Sequence, residues 1–218
     1  MITTFLLETD KLNNDDLFSE YYAKMSQYRK EKTDRMKMRK DKNLSLGAGI
    51  LLNNYLNTIG LTEKNMEYSY VENGKPYLKN YPNIHFNLSH SENVALCSVS
   101  DCNIGCDIEI ISSYNSNIAK RFFTENEYNL ISLTTDISTK AELFFRIWTL
   151  KESYLKLSGK GLSGGLNSFE INIENNITAK ENDALKPVFF REYTFKNYRI
   201  AVCSGKNDFS ENLTIVSI

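Results

Sequence analysis

The chain is poor in proline, with three in 218 residues. A disordered linker protein is excluded on that ground. Histidine is scarcer still, with two. The four cysteines, Cys97, Cys102, Cys106 and Cys203, contain no Cys-x-x-Cys pair. That spacing, with so few histidines, argues against a zinc site. No apolar run reaches the ~18 residues that a membrane span needs. The start, Met1 to Glu8, has no basic leader and no cleavage pattern, so a strand is expected there and not a signal peptide. The thiols are then expected to be reduced and the protein cytoplasmic. Net charge is also lacking. Twenty-six basic residues stand against twenty-seven acidic ones, a balance of −1. That excludes a wholesale polyanion binder but leaves room for a local basic patch.

What is present is an ordinary globular composition, 41% hydrophobic and 24% charged. The length allows one large domain or two small ones. Ile2 to Thr9 predicts a strand, and Asp15 and Asp16 open a helix reaching about Met25. A basic segment follows, with Arg29, Lys30, Lys32, Arg35, Lys37, Arg39, Lys40 and Lys42, and runs into a helix over Leu46 to Leu56. For most of these cations a solvated helix face is explanation enough. Their local excess nevertheless suits a phosphate-bearing ligand. Strands are predicted at Glu67 to Val71, Ile84 to Ser89, Val94 to Val99 and Ile104 to Ile110. The turn Asn73-Gly74-Lys75-Pro76 lies among them.

The second half repeats that outline. A short helix is predicted at Ile118 to Phe123. Thr124-x-x-Glu127 is a capping-box pattern opening another helix. Thr139-x-x-Glu142 is a second such pattern, opening a long helix from Ala141 to about Ser158, with Gly159 as its stop. Strands are expected at Ser168 to Ile173, Val188 to Phe195, Tyr198 to Ser204 and Leu213 to Ile218. The expected fold is α+β, with two similar lobes over residues 1–102 and 103–218.

Four stretches could carry chemistry. In Ile104-Gly105-Cys106-Asp107-Ile108-Glu109-Ile110, strand alternation puts Asp107 and Glu109 on one face, ~7 Å apart at their Cα atoms. Two such carboxylates repel, and a hard divalent cation would resolve the repulsion. A solvent-facing strand edge with two ordinary acids is the plainer alternative. In the long helix, Ile147, Leu150, Tyr154 and Leu157 form a core stripe. Phe145, Trp148, Glu152 and Lys156 fall on another face. Glu152 and Lys156 could be a simple i,i+4 ion pair. Buried beside the aromatics, they would need partners such as a metal and a phosphate. Phe86-Asn87-Leu88-Ser89-His90-Ser91 holds Ser89 and His90, which point apart on a strand and form no catalytic dyad. Phosphate binding suits them, as does a satisfied strand-end role. Gly159-Lys160-Gly161-Leu162-Ser163-Gly164-Gly165 lacks P-loop spacing and reads as a connector.

Taken together and in order, these stretches resemble the 4′-phosphopantetheinyl transferases, specifically the large single-chain, Sfp-type class. The resemblance also includes Arg121-Phe122-Phe123-Thr124-Glu125-Asn126-Glu127-Tyr128. Its most specific part is Gly-x-Asp-x-Glu with Trp-x-x-Lys-Glu-x-x-x-Lys. It implies two pseudo-twofold α+β lobes with coenzyme A bound in the cleft between them. It implies Mg²⁺ or Mn²⁺ held by Asp107, Glu109 and Glu152. Glu152 would be general base toward the serine of an apo acyl or peptidyl carrier protein, and Lys156 would serve the leaving phosphate. Arg29, Lys32, Lys75, Ser89, His90 and Lys156 would contact coenzyme A. A monomer is implied, with no nucleic-acid or membrane partner. One position departs from the family pattern. Asn43-Leu44-Ser45-Leu46 stands where the family carries an arginine, and Lys40 or Lys42 is the candidate substitute. Glu127 aligns with an acidic position of no assigned role. The competing readings are a metal-dependent nuclease or phosphohydrolase and a non-catalytic carrier-protein binding module. The first would want Asp…Glu-x-Lys order, whereas here Lys151 precedes Glu152. Retention of all three carboxylates argues against the second.

Overall fold

The structure is a computed structural model that describes residues 1–72, 74–159 and 165–218. Asn73 of the expected turn and residues 160–164 of the connector lie outside the described residues. The chain forms two compact units. One comprises Met1–Cys102 with Phe209–Ile218, the other Asn103–Asp208.

The first unit runs β1 (Thr3–Glu8), α1 (Asp15–Ala23), α2 (Gln27–Asp34), α3 (Arg39–Thr58), β2 (Tyr68–Tyr70), β3 (Pro76–Leu78), β4 (His85–Ser91) and β5 (Val94–Ser100). Strands β4 and β1 flank β5 antiparallel, pairing Leu88 and Phe5 with Cys97. Helix α3 covers this sheet, so Leu46, Leu51 and Leu52 bury against Phe5, Leu7, Ala95 and Cys97. Each such buried leucine contributes about 1.5–3 kcal/mol.

The second unit runs β6 (Ile104–Ile110), α4 (Ser116–Phe122), α5 (Glu125–Leu133), α6 (Ile137–Ser158), β7 (Phe169–Asn172), β8 (Thr178–Glu181), β9 (Ala184–Leu185), β10 (Phe189–Phe195) and β11 (Tyr198–Ser204). Its central sheet has the order β10-β11-β6, and α6 packs on β6 and β11. The expected stripe on α6 is buried, with Ile147 and Leu150 at 0% exposure. Trp148 meets Phe122, Phe123 and Phe144 at ring-centroid distances of 5.7–6.3 Å. Both phenylalanines of the Arg-Phe-Phe-Thr stretch thus hold α6 in place.

Three local expectations change. The C-terminal strand, β12 (Thr214–Ile215), does not join the second unit. It pairs parallel with β1, and Val216 N–H donates to Leu6 C=O at 2.8 Å. The basic segment is split between two helices, with Arg29, Lys30 and Lys32 on α2 and Arg39, Lys40 and Lys42 on α3. Met38 is extended, at φ −87° and ψ 142°, and separates α2 from α3. Thr139 is no helix cap. Asp136 caps α6 by accepting from Thr139 N–H at 2.7 Å, so the helix starts two residues earlier than Thr139. A carboxylate suits the exposed donors of a helix start. Strand β2 falls inside the expected Glu67 to Val71 strand, whereas β3, β8 and β9 are further elements with weak alternation in sequence.

The other cap forms as expected. Thr124 accepts from Glu127 N–H, and the Glu127 carboxylate accepts from Thr124 N–H at 2.8 Å. Thr124→Ala is expected to lower stability by about 1 kcal/mol. Urea unfolding of the two proteins measures it, and an unchanged midpoint would count against the cap's contribution. Among the described residues, no helix is long and apolar enough to cross a membrane.

Candidate active site

The second unit brings Asp107, Glu152 and Lys156 together. The contact depends on how closely α6 lies on β6. A Cβ built on Gly105 would stand 2.0 Å from Ser153 C=O and 2.4 Å from Leu157 N. Glycine at 105 therefore lets a helix backbone touch a strand backbone. Asn103 strengthens the contact, its side-chain amide donating to Leu157 C=O at 2.6 Å. The result sets the side chains of one α6 turn against the strand that carries Asp107.

Asp107 is 3% exposed. Lys156 Nζ donates to its Oδ1 at 2.6 Å. Burial works against the Lys156 ammonium, but Asp107, then Cys106 and Glu152, outweigh it and raise its pKa. Glu152 is half-buried. Burial and the nearby Asp107 raise its pKa, with Lys156 opposing. A carboxyl so placed is better suited to take a proton than an exposed one. Glu109 lies two residues beyond Asp107 on the same strand, half-buried and opposite Arg199 in register. Among the described residues, no three histidine, cysteine or acidic side chains converge as a metal-holding group.

The donor chemistry nevertheless fits a hard cation. All the candidate donors are carboxylate oxygens, the type that Mg²⁺ prefers. The site already holds one cation, the Lys156 ammonium, on a buried carboxylate. Of the three carboxylates expected to hold a metal ion, Asp107 and Glu152 lie close enough to affect each other's charge.

The residue before Glu152 serves a different purpose. Lys151 is 0% exposed and Glu127 3%. Lys151 Nζ donates to both Glu127 oxygens, at 2.5 and 2.7 Å, and to Phe169 C=O at 2.6 Å. Glu127 also accepts from Ile171 N–H at 2.7 Å. All three ammonium donors are used. The pair ties α6 to α5 and β7, which holds the α6 turn carrying Glu152. Sequence reading left Glu127 without a role.

In the first unit the expected phosphate contacts fare unevenly. Arg29 is 1% exposed. Its Nε lies 3.8 Å from the buried Glu63 carboxylate, and Nη1 donates to Ser45 C=O at 3.4 Å. Glu63 in turn accepts from Ser26 N–H and from the Tyr68 hydroxyl, at 2.6 and 2.7 Å. Arg29 is thus part of the internal packing of α2. Lys32, one turn on, is half-buried, and burial and the Arg29 charge lower its pKa. An anion beside Lys32 would offset both effects. Ser89 is buried and His90 exposed on β4, the alternation expected of a strand. Lys75 is half-buried. After burial, its charge is the second cause of the lowered pKa of His85. Lys40 pairs with Glu92 at 2.7 Å, and Lys42 is half-buried on the first turn of α3.

Known proteins are similar to this chain. The family model for the 4′-phosphopantetheinyl transferase superfamily matches residues 103–203, nearly the whole second unit. A holo-(acyl-carrier-protein) synthase from Bacillus anthracis, solved in complex with CoA (3′,5′-ADP), is 20% identical with a TM-score of 0.37. That match covers 47% of this chain and 93% of that one. The 4′-phosphopantetheinyl transferase gsp of Aneurinibacillus migulanus is 34% identical over 168 residues, 76% of this chain and 70% of that protein. The 4′-phosphopantetheinyl transferase Sfp of Bacillus subtilis is 32% identical over 197 residues, 88% of each. Aligned over so large a share of both proteins, this chain belongs to the 4′-phosphopantetheinyl transferase superfamily.

Proposed function

We propose that this protein transfers the 4′-phosphopantetheine group of coenzyme A to a serine of an apo acyl or peptidyl carrier protein. The observation that carries the reading is the meeting of Asp107, Glu152 and Lys156 where α6 touches β6, in a chain of this family. The serine oxygen attacks the phosphorus that bears the pantetheine arm. The bond from that phosphorus to the bridging oxygen breaks, and adenosine 3′,5′-bisphosphate leaves. An alkyl hydroxyl is a weak nucleophile. Glu152, its pKa raised by burial, takes the serine proton directly or through one water. Lys156 presents its ammonium to the leaving phosphate oxygen, where negative charge develops. A bound Mg²⁺ or Mn²⁺ would neutralise pyrophosphate charge and polarise the attacked phosphorus.

The first unit is proposed to bind the nucleotide phosphates through Lys32, Lys75, Ser89 and His90. Arg29 acts behind Lys32, by its charge and by fixing α2. The second unit is proposed to supply the metal-binding carboxylates. The protein is proposed to act as a cytoplasmic monomer.

The test is to incubate the protein with coenzyme A, Mg²⁺ and apo carrier proteins and to weigh the carriers. A mass gain of one phosphopantetheine arm is expected. No gain on several different carriers would remove the reading. Asp107→Ala is expected to reduce the gain to background while circular dichroism stays unchanged. An unaltered rate would refute the metal assignment.

A further inference from the structure

Lys156 and a metal ion make competing claims on Asp107. The carboxylate is buried, at 4% side-chain exposure, while the lysine side chain is 28% exposed. A buried carboxylate without a compensating charge is strongly unfavourable. The 2.6 Å contact from Lys156 supplies that charge. A divalent ion on the same carboxylate supplies it as well, and two cations held that closely repel each other. Only one of the partners can move easily. Asp107 is fixed in the middle of a paired strand, opposite Ala201. Lys156 has a flexible four-carbon side chain, part of it exposed, whose rotation about its own bonds needs no change in the backbone of α6.

We propose that Lys156 is an exchangeable cation on Asp107. It holds Asp107 until a divalent metal ion takes its place, and the released ammonium then turns to the phosphate of the coenzyme. The idea rests on the transferase reading of this site. It makes the lysine a guard against an uncompensated buried charge as well as a phosphate ligand. It also couples the two ligands. Metal binding alone must break an ion pair, whereas metal binding with coenzyme A gives the displaced ammonium a new partner. Each ligand therefore tightens the other to an equal degree.

The experiment measures Mn²⁺ binding to the full chain without coenzyme A, by the paramagnetic resonance signal of the free ion. The wild type, Lys156→Gln and Asp107→Asn are compared. Lys156→Gln is expected to bind Mn²⁺ about tenfold more tightly than the wild type, within the usual range of coupling between sites. Asp107→Asn is expected to bind more weakly than either. Lys156→Gln binding no tighter than the wild type, undetectable binding included, overturns the exchange. The carrier mass-gain assay on the wild type judges the transferase reading separately. A second measurement needs no variant to fold. Lysine acetylation, read by mass spectrometry, should label Lys156 several-fold faster at saturating Mg²⁺. The buried Lys151 serves as an unreactive reference. Equal labelling of Lys156 with and without Mg²⁺ also overturns the exchange.

Discussion

Gly105→Ala is expected to leave a folded protein whose transfer rate falls by at least about a hundredfold. The added methyl would lie 2.0 Å from Ser153 C=O, 2.4 Å from Leu157 N and 3.0 Å from Lys156 C. All three are backbone atoms, so no rotamer change relieves the clash. Helix α6 must back away from β6 by roughly an ångström or more. Overpacking of that kind costs about 1–3 kcal/mol, which a protein of this size can tolerate. The site cannot tolerate the shift so well. Glu152 and Lys156 ride on α6, and Asp107 rides on β6 two residues after the glycine. A displacement of that size separates the groups proposed to act on one phosphorus. Circular dichroism with the carrier mass-gain rate distinguishes the outcomes. A near-normal rate would show that α6 and β6 need not touch. The first residue of the Gly-x-Asp-x-Glu motif thus has a mechanical role, in permitting the contact that assembles the others.

Lys151→Met should be the most destabilising single change near the site, by about 3–5 kcal/mol. The variant leaves the Glu127 carboxylate buried with its charge uncompensated. Two backbone donors, Thr124 N–H and Ile171 N–H, still bind it at 2.8 and 2.7 Å, but neither carries a full charge. The double variant Lys151→Met with Glu127→Gln should recover part of the loss. Glutamine keeps the capping-box geometry and removes the stranded charge. Urea unfolding of the two singles and the double gives the coupling between the residues. A loss under about 1 kcal/mol for Lys151→Met would mean that the pair contributes little. Burial lowers the pKa of Lys151 despite the Glu127 carboxylate, as expected for an ammonium with no exposure to water. Lys151 and Lys156 thus stand five residues apart in one motif with different duties. One locks the helix, and the other is proposed to serve the reacting phosphate.

Much of the fold was legible because it is local. Strand β6 spans Ile104–Ile110 and β11 spans Tyr198–Ser204, the limits that period-two apolar patterning predicts. The Ile147, Leu150, Tyr154 and Leu157 stripe is buried as helical spacing requires. Gly159 ends α6 in a left-handed conformation, at φ 69°, which a residue without Cβ adopts at little cost. Less legible were features that depend on partners far along the chain. The C-terminal strand carries no local mark of the sheet that it joins, since an edge strand pairs through its backbone. Arg29 reads as one more cation in a basic run. Only the packing of α2 places it on Glu63, thirty-four positions away.

The sequence by itself determined which residue types are available for chemistry and on which faces of which elements they stand. Asp107 and Glu109 alternate on one strand, and Glu152 and Lys156 are one helical turn apart. These follow from backbone periods of two and about 3.6 residues, which neighbours alone impose. The tertiary structure alone decided which charge meets which. Lys156 reaches Asp107 across 49 positions, and Lys151 reaches Glu127 across 24. An ion pair depends on distance and burial. Both are set here by a helix lying on a strand at a glycine, and periodicity contains no information about that approach.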